Sequence, residues 1–357
     1  MATGGSIYSQ VQHKDKGPHI LVIRLSAMGD VAMVVPVLSV LVHTYPNLQV
    51  TVLTKAFFRP LFSFLPNVVV YEADVKGVHS GVLGLGTLAR ELRDEEVDVV
   101  ADLHDVLRSN VLKSIFYFYG IPFKQINKGR AEKKALTREN NKEFRQLKST
   151  HERYAEVFKE LGFPIDLAEY QPPIKRKLLP RVHDIVGKNS RKWLGIAPFA
   201  QHKGKTYPKD LMEKVVEALS ENGKIKIILF GGGKSEKKQL KKWEDKYENC
   251  LSVVGKLSFA EELSLISNLD AMLSMDSGNA HLAAIYGIPV ISLWGLTHPY
   301  TGFKAFNQPM ENCILSDIDR YPMIPTSVYG KKIPEGYEDV MRSIPPDTVI
   351  KKILEVL

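Results

Sequence analysis

The segment Met275-Asp276-Ser277-Gly278-Asn279-Ala280-His281 gathers groups that could meet on one ligand, because it joins the end of an apolar strand to the start of a helix. Ser277 and the backbone N–H groups of Gly278 and Asn279 suit a pyrophosphate at a helix N-terminus. His281, one turn further on, can donate from its ring or balance phosphate charge. The plainer alternative has Ser277 capping the helix and His281 packing beneath the loop. Asp276 can brace the loop through backbone N–H groups or accept from a sugar hydroxyl.

Three further loops offer chemistry. Gly231, Gly232 and Gly233 follow an apolar strand and precede Lys234-Ser235-Glu236. They permit close approach of a phosphate to the backbone, although a tight structural turn needs glycine as well. Neither the dinucleotide fingerprint nor the Walker sequence is present. Lys203 and Lys205, in the loop after the strand that ends near Pro198, can neutralise charge developing on a phosphate or simply be solvated. Asp30 lies where the first strand turns into its helix, suited either to capping that helix or to serving as a general base facing an interdomain cleft. Asp102, His104 and Asp105 follow another strand end and are candidates for an acceptor pocket. The spacing defines no catalytic triad and no metal-ligand cluster.

These loops need strands and helices to hold them. Residues 19–25 read as a buried strand before the turn Ser26-Ala27-Met28-Gly29-Asp30. A helix from about Val31 meets an obstacle at Pro36, which removes a donor and clashes with the preceding turn, so the helix kinks there or begins later. Strands are expected at 49–53, 68–71, 97–101 and 123–126, and a helix at 151–161. In the second half strands are expected at 193–197, 225–230, 251–254, 271–275 and 289–294, with helices between them. Ser258 and Glu261 form a capping box. Such alternation predicts an α/β fold with parallel, doubly wound sheets, which bind ligands beyond the carboxyl ends of their strands.

The 357 residues suit two domains, with a boundary near the proline- and charge-rich stretch Tyr170-Gln171-Pro172-Pro173-Ile174-Lys175-Arg176-Lys177. The expected division is a polar extension over 1–18, an N-terminal domain over 19–172, a linker over 173–190, a second domain over 191–342 and a C-terminal helix over 343–357. No apolar run reaches the roughly 18 to 20 residues of a spanning helix, and the polar start lacks the pattern of a secretory signal. Cys250 and Cys313 are the only cysteines, which fits a reducing cytoplasm. The net charge of +8 favours polyanionic partners. Its densest segment, residues 128–145, contains Lys133, Lys134 and Arg138 and is either a solvated face or a contact with an acceptor or membrane surface. It lacks the aromatic interleaving of a nucleic-acid groove, so nucleic acid is not expected as a partner.

Three stretches together resemble the heptosyltransferase family, GT-B glycosyltransferases of the bacterial lipopolysaccharide core. They are Arg24-Leu25-Ser26-Ala27-Met28-Gly29-Asp30-Val31, Lys205-Thr206-Tyr207-Pro208 and Met275-Asp276-Ser277-Gly278-Asn279-Ala280-His281-Leu282-Ala283-Ala284. The extended Trp294-Gly295-Leu296-Thr297-His298-Pro299 adds to them. The resemblance implies two facing Rossmann-like domains, with an ADP-heptose donor in the C-terminal one and an anionic glycolipid acceptor on the N-terminal side. It also implies direct inverting transfer that needs neither a cofactor nor a divalent metal, at the cytoplasmic face of the inner membrane. Asp30 then takes the general-base role, Lys205 the donor-phosphate role and Glu236 a contact to the nucleotide ribose, while Asp276, Ser277, Gly278 and His281 match the donor loop. The chain departs from the family pattern at Pro198-Phe199-Ala200-Gln201, which lacks the usual small hydroxyl pair and leaves Thr206 as the nearby hydroxyl, and at Tyr207, where tryptophan is usual. A GT-B nucleotide-sugar epimerase and a non-catalytic sugar-nucleotide sensor are the alternatives.

Overall fold

The structure, a computed structural model, describes residues 17–187 and 190–357. Most of the polar extension expected over 1–18, and residues 188 and 189 of the expected linker, therefore lie outside the described residues. The chain forms two compact units: the described residues up to Lys128 together with Thr150–Pro172, and Gly129–Ser149 together with Pro173–Leu357. Residues 129–149, assigned from sequence to the N-terminal domain, thus group with the second unit.

In the first unit the chain runs β1 (His19–Ile23), α1 (Met28–Ala32), α2 (Val34–Thr44), β2 (Gln49–Thr54), β3 (Val68–Glu72), α3 (Gly81–Asp94), β4 (Val99–Asp102), α4 (Leu107–Phe118) and β5 (Phe123–Gln125). The segment carrying α5 (Arg130–Thr137) then leaves for the second unit, and α6 (Thr150–Glu160) returns to the first. The five strands are parallel in the order β3-β2-β1-β4-β5. Ile20, Leu21, Val22 and Ile23 are wholly buried, as an unbroken apolar run in a sheet covered on both faces requires. The helix expected from Val31 begins three residues earlier and breaks at Met33. That break puts Pro36 in the first turn of α2, where its missing N–H deprives no carbonyl of a partner.

The second unit adds α7 (Pro180–Val186), β6 (Lys192–Ala197), α8 (Lys209–Ser220), β7 (Ile225–Leu229), α9 (Gly233–Lys246), β8 (Cys250–Ser252), α10 (Phe259–Ile266), β9 (Ala271–Met275), α11 (Gly278–Ile285), β10 (Val290–Trp294), β11 (Cys313–Leu315) and α12 (Pro346–Val356). Its six parallel strands lie in the order β11-β10-β9-β6-β7-β8. Ser258 and Glu261 close the expected capping box at the start of α10. Met212, Val215, Val216 and Leu219 along α8 share one core with Val349 and Ile353 of α12, so the last helix belongs to this unit. Strand order reverses between β1 and β4 in one sheet and between β6 and β9 in the other. Loops that leave those strands at their carboxyl ends flank the crevice in which open α/β sheets bind ligands.

Candidate active site

In the second sheet, β6 and β9 pair side by side, with Ala197 opposite Ser274, and this register brings the two following loops together. Lys205 Nζ lies 2.8 Å from Asp276 Oδ2, with the two side chains 15% and 5% exposed. Thr297 Oγ1, in the loop after β10, donates to the same Oδ2 at 2.9 Å. Asp276 therefore ties three loops together with one oxygen, through the side chains of Lys205 and Thr297 rather than through the backbone N–H groups its sequence position suggested. Gly204 makes the approach possible: a Cβ there would come within 2.7 Å of Leu296 Cδ1 and 2.8 Å of the Gly330 carbonyl oxygen. Its own carbonyl accepts from Leu296 N–H at 2.9 Å. Lys203 is exposed whereas Lys205 is half-buried in the pair, so the structure separates two lysines that sequence position could not.

Ser277 occupies the N-cap position of α11, but its hydroxyl caps nothing. It lies 3.0 Å from Ser274 Oγ instead. The capping alternative is thereby corrected: Ser274 at the strand end engages the hydroxyl, and the first turn of α11 at Gly278 and Asn279 has no side-chain cap. His281 is buried in the same helix, 7% exposed. On the neighbouring loop, Gly233 has a φ of +78° that favours glycine, and Gly232 N–H donates to Glu236 Oε2 at 2.7 Å. Glu236 thus holds the glycine turn from the first turn of α9, with Gly231 beside it: a Cβ on Gly231 would lie 3.0 Å from Glu236 Oε2. Thr206 Oγ1 donates to the His202 carbonyl at 3.2 Å and stabilises the Lys205 turn. Tyr207 is a core residue, 1% exposed, with N–H directed to Met275 Sδ at 3.3 Å and hydroxyl donating to the Ile344 carbonyl at 2.7 Å.

The first unit places Asp30 at the equivalent crevice. Its Oδ2 accepts from Ala27 N–H at 3.2 Å and lies 2.6 Å from Arg24 Nη2, with Arg24 7% and Asp30 26% exposed. Asp30 is the third residue of α1 and Ala27 is the N-cap, so the carboxylate back-bonds to the cap rather than being the cap. Arg24 is fixed in turn by Nη1 donating to the Leu103 carbonyl at 2.6 Å, and the Tyr154 hydroxyl donates to the Asp30 carbonyl at 3.3 Å. Sequence reasoning missed the roles of both Arg24 and Thr297. Each stands inside a quoted motif, but only the packed loops show what it touches.

Asp102, His104 and Asp105 follow β4. Asp102 is wholly buried: Oδ1 accepts from His104 N–H at 2.8 Å, and Oδ2 from Gln125 Nε2 at 2.7 Å. It holds the loop from beneath. Burial first, then the charges of Arg24, Lys128 and Lys55, push the His104 imidazole down to about 3. The ring is therefore neutral at physiological pH, with Nδ1 facing Leu25 N–H at 3.5 Å.

The basic segment is partly a solvated face, with Arg130, Lys134 and Arg145 exposed, and from Gly129 onward it groups with the second unit. Lys142 Nζ donates to the carbonyls of Met323 and Pro325, and Phe144 packs against His298 and Tyr300 at ring distances of 5.1 and 5.2 Å. Lys133 lies over the Phe303 ring at 4.4 Å, and Arg138 pairs with Glu143 at 3.1 Å, while Lys134 is exposed. The segment straps the loop after β10, whose Thr297 supports Asp276. Among the described residues no cluster of three or more His, Cys, Asp or Glu side chains could hold a metal, and no helix is long and apolar enough to cross a membrane.

Comparison with known proteins agrees with this architecture. Over 95% of its length the chain superposes on a family 9 glycosyltransferase from Veillonella parvula, with a TM-score of 0.73, 19% identity and 97% of that chain covered. The Escherichia coli ADP-heptose lipopolysaccharide heptosyltransferase II gives a TM-score of 0.66 at 18% identity, covering 95% of this chain and 98% of that one. In sequence, the chain is 25% identical to the lipopolysaccharide core heptosyltransferase OpsX of Haemophilus influenzae, across 93% of this chain and 90% of that protein. The family model for glycosyltransferase family 9 (heptosyltransferase) matches residues 85–325. With that model spanning more than half of the chain, on a fold of two Rossmann-like sheets, the protein belongs to glycosyltransferase family 9, the heptosyltransferases.

Proposed function

We propose that this protein is a metal-independent inverting glycosyltransferase that moves heptose or a related sugar from an ADP-sugar to a hydroxyl of a lipopolysaccharide core acceptor. The observation that carries the reading is the Lys205–Asp276 pair at the reversal point of the second sheet, beside the uncapped first turn of α11. Lys205 and the N–H groups of Gly278 and Asn279 face the donor diphosphate, with Ser277 and His281 adding hydrogen bonds. Gly231, Gly232 and Gly233 admit the nucleotide close to the backbone, and Glu236 receives a ribose hydroxyl while holding that turn. Support comes from relatives whose names specify lipopolysaccharide heptosyl transfer and from a related structure described as bound to ADP.

Asp30 performs the proton transfer. Its Oδ2 is occupied by Arg24 and Ala27, leaving Oδ1 to take the acceptor hydroxyl proton. The acceptor oxygen then attacks the anomeric carbon as the bond to the diphosphate breaks on the opposite face, inverting the centre. The negative charge leaves with ADP and is met by Lys205. His104 and Asp105 contact the acceptor from a loop held by Asp102, and Lys133, Lys134 and Arg138 contribute positive charge toward its anionic groups.

Calorimetric titration with ADP, UDP and GDP sugars, with Lys205→Gln alongside, tests the donor assignment. We expect saturable binding of the ADP-sugar, about 10- to 100-fold weaker in the variant, as the loss of a charge-assisted contact implies. No saturable binding to any of the three would overturn the transferase reading. Binding of a UDP-sugar alone would reject the ADP-sugar donor.

A further inference from the structure

The carboxyl-end loops of the first sheet carry more than Asp30 and His104. Phe57 follows β2, Val78 follows β3, Val82 and Leu83 open α3, and Leu107 opens α4. Their exposures are 56%, 72%, 70%, 89% and 81%. Because β2, β3 and β4 are parallel, all five residues lie along one edge of the sheet, the edge on which Asp30 stands. Packing also draws them together. Gly84 lies against the Val78 carbonyl, and α3 and α4 share a core through Leu88, Leu92, Leu112 and Phe116.

Isolated exposed apolar side chains are ordinary, but several large ones along one rim of a ligand crevice mark an interaction surface. The surrounding charge indicates what it meets. Lys76 and Arg108 are exposed among these residues and Lys55 is partly so, while the nearby Glu72 is already paired with Arg59 at 3.1 Å. Asp74 turns a carboxylate oxygen onto Gly77 N–H at 2.8 Å. Aliphatic tips backed by cations match an anionic lipid surface, where the tips enter the acyl boundary and the cations meet headgroups.

We propose that this rim, centred on Val82, Leu83 and Leu107, docks the first unit onto an anionic lipid bilayer. The inference rests on the proposed acceptor side for its biological sense, since an acceptor anchored in lipid would be presented at that edge. Its test uses neither donor nor transfer, so its failure and the failure of the transferase reading are distinguishable. The opposite edge supplies an internal comparison: Tyr117 and Phe118, at the far end of α4, are 80% and 84% exposed.

The experiment is flotation of the full chain with phosphatidylcholine vesicles, with and without phosphatidylglycerol. Wild type should float with the phosphatidylglycerol vesicles, and less so as salt rises. The triple variant Val82→Ser, Leu83→Ser, Leu107→Ser should lose about 10-fold or more in partitioning, consistent with withdrawing several methylene groups from the interface. Lys76→Gln with Arg108→Gln should weaken binding only to the anionic vesicles, whereas Tyr117→Ser with Phe118→Ser should leave it unchanged. Leu83→Ser alone, at the most exposed position, supports the proposal by a smaller loss if the triple variant melts low. The proposal is overturned if wild type does not bind the anionic vesicles, or if folded rim variants bind as wild type. A larger loss from the Tyr117 and Phe118 changes would also overturn it. So would sedimentation showing that the rim variants abolish self-association of the wild type, which would assign the surface to a second copy of this chain.

Discussion

Replacing Asp30 with asparagine removes two things at once, and the structure separates their sizes. The first is the basic oxygen: loss of a positioned acid-base group costs about 100- to 10,000-fold in rate. The second is the counter-charge of Arg24, which lies 2.6 Å from Asp30 Oδ2 and is almost buried. At an effective dielectric of 20, the gross attraction at that distance is about 6 kcal/mol. Desolvation offsets much of it, and the 26% exposure of Asp30 lets water replace part of the rest. A net loss of about 1–3 kcal/mol in stability follows, below the roughly 3–5 kcal/mol of a fully buried broken pair. The asparagine can still accept from Ala27 N–H, so the start of α1 should persist. Single-turnover transfer, donor calorimetry and thermal melting on the same preparation give three readings. Transfer should collapse, the melting temperature should fall by several degrees, and donor affinity should hold, because the proposed nucleotide contacts belong to the other unit. Near-wild-type transfer in the folded variant would refute Asp30 as the base. An unchanged melting temperature would refute the ion-pair reasoning independently.

Two further predictions concern stability. Tyr207→Phe leaves the Ile344 carbonyl without its buried donor and should cost about 1–2 kcal/mol in denaturant unfolding while leaving donor affinity unchanged; an unaffected midpoint would show that the bond contributes nothing. Burial pushes the Glu262 carboxyl from its usual 4.5 up to about 7. Between those values the folded protein binds more protons than the unfolded chain, so this group's contribution makes stability fall as pH rises through that window. Glu262→Gln should therefore raise the melting temperature at pH 8, by about 1–3 kcal/mol of stability given partial exposure, with little effect at pH 4; equal melting of the two proteins across the range would contradict it.

The alternation of apolar runs with helical segments determined the two parallel sheets, because each signal is local: a buried strand is a short apolar run, and a cap such as Ser258 with Glu261 spans one helical turn. The same locality put Asp30, Asp276 and the glycine turn at strand ends, where open sheets bind ligands. It could not separate Lys203 from Lys205, because that choice depends on β6 lying beside β9. Nor could it show that Arg24 neutralises Asp30, that Thr297 reaches Asp276, or that Ser277 turns to Ser274 rather than capping α11. The fate of residues 129–149 is the largest such case. By composition the segment is a basic stretch in the N-terminal half, yet Lys142 finds two carbonyls and Lys133 an aromatic ring in the second unit, while Lys134 stays exposed. Whether a lysine is solvated or satisfied is a property of what packs against it, and that is decided only when distant strands have fixed the loops between them.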